Sequence, residues 1–207
     1  MPTTKRLEIA PERLNRWLGG FADRHGGPLD PPLRRFVAGE VRLPVTVAAA
    51  DGSTAELAPG LELPVALVLV RRGGYSVGLL TSTGLSEHKT GKRYVQSKTA
   101  AGGWSQQRYA RRRGNQADAL VGHVADEVVR VVLESGAARG VGPVALCLGG
   151  DRALAGTVLE DPRLARLGEL PRRTLYDLPD PSYVVLNDAA RRAVAVWIAL
   201  VEVDGSP

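Results

Sequence analysis

Val65-Ala66-Leu67-Val68-Leu69-Val70 is apolar at every position. A run of six such residues, bounded by Pro64 and by Arg71-Arg72-Gly73-Gly74, reads as a central strand buried on both faces. The Arg71–Gly74 turn sends the chain back into Tyr75–Thr81, and a third strand is predicted over Lys92–Lys98, completing an antiparallel meander. In that third strand, alternation places Lys92, Tyr94, Gln96 and Lys98 on one face, a polar face suited to RNA or solvent.

Downstream, an apolar stripe at Ala117, Leu120, Val121, Val124, Val128 and Val132 follows the 3.6-residue period. It predicts a long helix from about Gln106 to Glu134, ended by Gly136. Pro143–Leu148 reads as a second buried strand, residues 152–159 as a helix behind Gly149-Gly150-Asp151, and Arg173–Tyr176 as a short edge or parallel strand. Pro181–Val201 reads as a last helix bearing Val184, Val185, Ala190, Val194, Trp197 and Ile198. Three hairpin-linked strands followed by α/β crossovers predict an α/β fold (an α+β mixed sheet) with helices packed on it, as in RNase H-like domains. Residues 63–207 would form this domain. Residues 1–62 would be an elaboration, with a helix over 11–24 (Leu14, Trp17, Leu18 and Phe21 on one face) and a hairpin from Val41–Ala49 through Asp51-Gly52 to Thr54–Leu57.

The 207 residues hold a net charge of +5, and the charge is local. Between His88 and Ala117 stand Lys89, Lys92, Arg93, Lys98, Arg108, Arg111, Arg112 and Arg113, with no Asp or Glu, which leaves the rest of the chain slightly acidic. Inside this stretch lies Gly102-Gly103-Trp104-Ser105-Gln106-Gln107. Like charge interrupted by glycines, a tryptophan and two glutamines points to a binding site for RNA, not DNA, because clustered cations attract phosphate and glycine lets backbone approach a ligand closely. Arg108, Arg111, Arg112 and Arg113 fall in the first turns of the predicted helix, where each opposes the helix dipole at a cost of about 0.3 kcal/mol or more, and phosphate would compensate them. The bland alternative is a solvated face of good helix formers.

Other chemistry is sparse. His25, His88 and His123 are scattered without metal-ligand spacing, no cofactor motif is present, and the glycines at 140–150 form no dinucleotide fingerprint. The three meander strands as predicted contain no acidic residue to hold a nuclease metal. Cys147 sits in an apolar run and reads as a buried small hydrophobe, so no disulfide framework is possible within one chain. With no signal-like segment and no apolar run long enough to span a bilayer, the expectation is a soluble, cytoplasmic protein with no membrane partner.

The segment Arg93-Tyr94-Val95-Gln96-Ser97-Lys98-Thr99-Ala100-Ala101-Gly102-Gly103-Trp104-Ser105-Gln106-Gln107-Arg108-Tyr109-Ala110-Arg111-Arg112-Arg113-Gly114-Asn115-Gln116-Ala117 resembles the core of the actinobacterial Vms-like release factors. These are peptidyl-tRNA hydrolases related to the catalytic middle domain of the eukaryotic and archaeal translation termination factor, and to the eukaryotic hydrolase that frees nascent chains from stalled large ribosomal subunits. The resemblance runs in element order from about Pro64 to Val203 and is dense from Arg71 to Ala117. It implies that Gly102 and Gly103 correspond to the glycines of the termination factors' Gly-Gly-Gln loop, which enters the peptidyl transferase centre. Here Trp104-Ser105 separates the glycines from the glutamine. Gln106 is favoured over Gln107 because a Ser-Gln pair recurs in the eukaryotic relatives, and the doubled glutamine keeps both open.

The implied chemistry needs no acid–base triad. An aminoacyl ester is already activated, so orienting one water and stabilising the developing oxyanion can suffice, and a glutamine amide can do so without ionising. The implied partners are the large ribosomal subunit and peptidyl-tRNA, Lys89, Lys92, Arg93, Lys98, Trp104 and the four arginines being RNA contacts, with no metal and no cofactor. A rival reading, a non-catalytic ribosome- or tRNA-binding module, would need the charges but not Gln106. A nuclease would need carboxylates.

Overall fold

The computed structural model describes residues 3–92 and 105–203, with side chains for 4–92 and 116–203. In chain order the elements are β1 (Thr3–Ile9), α1 (Leu14–Arg24), α2 (Leu33–Val37), β2 (Val45–Ala48), β3 (Thr54–Ala58), β4 (Val65–Arg71), β5 (Gly74–Thr81), β6 (Gly84–Lys92), α3 (Ser105–Val128), α4 (Ser135–Ala138), β7 (Ala145–Gly150), α5 (Arg152–Leu159), α6 (Ala165–Gly168), β8 (Arg172–Leu175), α7 (Tyr183–Val194) and β9 (Val196–Glu202). Two compact units result, residues 61–193 and residues 1–60 with 194–207.

The larger unit is built on one mixed sheet of order β6-β5-β4-β7-β8. β4 pairs antiparallel with β5 and parallel with β7, and β7 is parallel to β8. All six residues Val65–Val70 are buried, as a strand with neighbours on both edges and helices on both faces requires. On one face Ala66, Val68, Val70, Val77, Leu79, Leu146 and Leu148 pack against Leu120, Val124 and Val128 of α3 and Ala155 and Val158 of α5. On the other, Leu186 of α7 lies against Gly78. The predicted mixed sheet with helices packed on it is therefore the observed architecture.

Four local expectations need correction. The third meander strand is β6, Gly84–Lys92, paired along β5 from Thr81–Gly84 to Gly74–Lys92; of the predicted Lys92–Lys98 strand only Lys92 lies within the described residues. A two-residue turn, Ser82-Thr83, suffices to return the chain, so pairing starts earlier than the basic stretch implied. The long helix does not stop at Gly136. It passes through a π-type stretch, Val129–Glu134, and α4, then ends at Gly140 (φ +66°), where Gly140 N–H donates to Ala137 O (3.0 Å) and Val141 N–H to Gly136 O (2.8 Å), a Schellman closure. Gly136 is glycine because a Cβ there would overlap the Val141 carbonyl.

The predicted helix 181–201 is instead α7 followed by strand β9, and the inward residues of α7 are Leu186, Ala189, Ala190 and Ala193, while Val184 is exposed. Fourthly, β9 joins the smaller unit, closing an antiparallel sheet β1-β9-β3-β2. The last strand thus leaves the 63–207 grouping, and β1 and α2 are elements that periodicity did not reveal. Leu18 and Phe21 of α1 pack on this sheet's Val47, Leu57, Ile198 and Leu200. Its β2–β3 hairpin turns at Gly52 (φ +88°), and the Asp51 carboxylate accepts from Ser53 N–H (2.8 Å) and contacts His25 Nδ1 (2.8 Å). The Ser53 N–H first, then His25, hold the Asp51 carboxyl below its ordinary range.

Asp161 staples the end of α5's connection. It accepts from Arg163 N–H (2.9 Å) and pairs with the Arg163 guanidinium (2.7 Å), which also reaches Asp126 on α3 (2.8 Å). The Arg163 side chain, then its backbone N–H, hold the Asp161 carboxyl down to about 2 against an ordinary 3.8. Because the folded-state value is depressed, the carboxylate's contribution is complete above about pH 3.8 and disappears as pH falls through about 2. Asp161→Asn should therefore lower the stability measured by urea unfolding at neutral pH, and the gap from the parent should shrink steadily below pH 3.8; a gap independent of pH would show that the charge is immaterial.

Candidate functional site

The candidate residues run in one contiguous stretch from Lys89 of β6, through the connection that leaves β6 at Lys92, to the first turns of α3. Arg93, Lys98, Gly102, Gly103 and Trp104 lie outside the described residues. Ser105, Gln106, Gln107, Arg108, Arg111, Arg112 and Arg113 occupy the first turns of α3. Gln106 and Gln107 hold successive helical positions, about 100° apart, so the two are not equivalent placements. Arg108, Arg111 and Arg112 recur at i, i+3 and i+4, and the first turn of α3 has no acidic residue.

Both stems of this connection are anchored. β6 is the outer strand of the sheet, with Lys89 and Lys92 exposed. Alternation along β6 puts Lys89 and Gly91 on the α3 face, beside Val77 and Tyr75, and Lys92 on the opposite face. The two lysines therefore do not share a face. Tyr75, opposite Gly91, is buried, and its ring fills the space a Cβ on Gly91 would take. Its hydroxyl meets His123 Nε2 of α3 at 3.0 Å, with the rings edge-on at 5.2 Å. His123 stands 4.0 Å from Glu127, which accepts from Arg130 Nε at 3.0 Å. Tyr75 thus ties the β5–β6 ribbon to α3 below the candidate connection.

On α3 the first fully buried described residue is Leu120. At about 1.5 Å rise per residue, Ser105 lies roughly 22 Å of helix axis ahead of it.

The three histidines each have a neighbour that accounts for them: Asp51 for His25, Tyr75 for His123, and for His88 the Tyr183 ring at 4.8 Å. Sequence reasoning missed one carboxylate. With the strand shifted to Gly84–Lys92, the meander contains Glu87, which is ion-paired with Arg139. Among the described residues no three His, Cys, Asp or Glu side chains gather as a metal site. Gly149 and Gly150 answer to packing: Gly150 (φ +91°) lies against the Val70 carbonyl, Gly149 against Leu69 and Leu178. No described helix is long and apolar enough to cross a membrane.

Fold and site together define a mixed-sheet α/β domain whose candidate chemistry sits on a single strand-to-helix connection. The model of the Actinobacteria/chloroflexi VLRF1 release factor family matches residues 63–199, and the chain belongs to that family. Among solved structures, it is similar to an archaeal translation termination factor (17% identity, 93% of this chain and 65% of that one, TM-score 0.44). It is also similar to a second archaeal protein (15% identity, 84% and 61%, TM-score 0.34). The chain spans less than two thirds of the length of either. A comparison with curated proteins finds no match.

The Tyr75–His123 tie is testable. Tyr75→Phe should lose about 1 kcal/mol in chemical denaturation, the net value of one such hydrogen bond, with the fold retained. Gly91→Val should cost more, because its side chain displaces the Tyr75 ring. Equal, negligible effects of both would remove the tie.

Proposed function

We propose that this protein is a codon-independent release factor that hydrolyses the ester between nascent peptide and tRNA on stalled ribosomal complexes, a cytoplasmic activity in ribosome quality control. The observation supporting it is the family match over residues 63–199, within which Gly102-Gly103-Trp104-Ser105-Gln106-Gln107 falls at the β6–α3 connection. In this reading Gly102 and Gly103 let the loop enter the peptidyl transferase centre of the large subunit. Gln106 orients water and the terminal ribose at the ester, with Ser105 and Gln107 beside it, and the catalysis is mainly positioning. Lys89, Lys92, Arg93, Lys98, Arg108 and Arg111–Arg113 contact RNA phosphates, and Trp104 stacks on a base or the cleft wall. A helix start rich in arginine and free of acid opposes its own dipole, a cost that bound phosphate offsets.

Incubation of the purified protein with ribosome-bound peptidyl-tRNA should release peptide and leave a tRNA with a complete 3′ end that can be aminoacylated again. Gln106→Ala should reduce release by on the order of a hundredfold or more, as loss of a positioned transition-state donor does, while ribosome binding persists; Gln107→Ala should do less. Release at the parental rate by the Gln106 variant would overturn the assignment, binding without release by the parent would favour the non-catalytic module, and a tRNA shortened at its 3′ end would mean phosphodiester cleavage.

Replacing Arg111, Arg112 and Arg113 with Gln should weaken RNA association and lower the log–log salt slope by roughly 0.7 to 0.9 per lost contact, with the thermal midpoint preserved. An unchanged slope would return these residues to a solvated helix face.

A further inference from the structure

A second basic surface lies in the smaller unit, away in sequence from the candidate loop. Ile9, Arg13, Arg16, Trp17, Gly20 and Arg24 line an open groove of about 530 Å³ along α1. The spacing 13, 16/17, 20, 24 is one stripe of a helix, adjoining the stripe through Leu18 and Phe21 that is buried on the sheet. All three arginines are exposed, and none forms an ion pair with a described residue; no carboxylate lines the groove. Trp17 is half-buried, stacked on buried Phe21 with ring planes 8° apart and centroids at 5.3 Å, so its position is set from below by the core. Gly20 keeps the floor low, and a Cβ there would stand 3.3 Å from Arg24 Nη1.

This arrangement has a cost inside the chain. Arg13 and Arg16 stand at the start of α1, whose own first turn has no acidic residue although Glu12 lies in the 3-10 turn that leads into it, and like charges at i, i+3 repel. Three unpaired guanidiniums around a core-mounted indole match a ligand with both spaced negative charges and a π face. Single-stranded nucleic acid has both, whereas an acidic peptide offers the charge without the stacking surface.

We infer that α1 forms an RNA-binding groove of its own, taking an unpaired RNA segment with a base on Trp17 and its phosphates on Arg13, Arg16 and Arg24. The span from Arg13 to Arg24, about 16 Å of helix axis, accommodates several nucleotides. The inference goes beyond the release reading and stands whether or not Gln106 proves catalytic.

The test uses the full chain and a twelve-nucleotide single-stranded RNA containing 4-thiouridine. Irradiation should crosslink a peptide containing Trp17, in addition to any from the basic stretch 89–113. Arg13→Gln, Arg16→Gln and Arg24→Gln together should abolish that crosslink, leave any crosslinks in 89–113, and lower the log–log salt slope by about 2, roughly 0.7 per contact on a single strand. Trp17→Leu should weaken binding about tenfold at an unchanged slope, consistent with the loss of one base–aromatic stack. Should Trp17→Leu fail to fold, the arginine variant, which alters exposed side chains only, decides. Absence of a crosslink within residues 9–24 with an unchanged salt slope overturns the inference. So does competition by a polyglutamate peptide of equal charge as effective as by RNA, which would make the groove a site for acidic protein. Loss of release in Gln106→Ala, or its persistence, leaves the crosslink at Trp17 unaffected and so bears on the other reading alone.

Discussion

The pairing of β4 with an antiparallel neighbour on one side and a parallel one on the other is the constraint from which the larger unit follows. A strand apolar on both faces must be covered twice, and here α3 and α5 cover one face while Leu186 of α7 reaches the other. The parallel partner β7 cannot be reached from the meander by a tight turn. A long crossover is obligatory, and α3 is that crossover. The candidate loop therefore arises where topology already demands a long connection: the chain has to leave β6, an outer strand, and travel back across the sheet.

The crossover is fixed to the strands it leaves: the described buried stripe of α3 runs from Leu120, and Tyr75 occupies the place of a Gly91 side chain and meets His123, joining strand and helix by one aromatic contact and one hydrogen bond.

Charge is placed where the fold gains nothing from it. Arg163, Arg139, Arg130 and Arg192 are each matched to a carboxylate, whereas Arg13, Arg16 and Arg24 line a groove without one, and the start of α3 has four arginines and no acid. Paired arginines serve folding. The groove of α1 and the basic start of α3 lie on different units.

The sequence alone determined the central strand and its hairpin with β5, the long amphipathic helix and the 152–159 helix, since each rests on a local period or a turn residue: six apolar residues in a row, a glycine pair, a 3.6-residue stripe, Asp151 as cap. It also grouped the candidate residues into one contiguous stretch that spans the end of β6 and the start of α3, because their unusual composition is contiguous. Tertiary structure decided the remainder. Val196–Leu200 is apolar at every position, so strand and helix periods fit it equally well, and only the flanking β1 and β3 make it a strand. The third strand moved to Gly84–Lys92 because pairing along β5, not composition, sets where a hairpin partner begins, and with it Glu87 entered the sheet. Gly136, Gly91 and Gly149 look like breakers in one dimension; in three they are the points where another backbone or ring comes too close for a side chain, a condition no local pattern encodes.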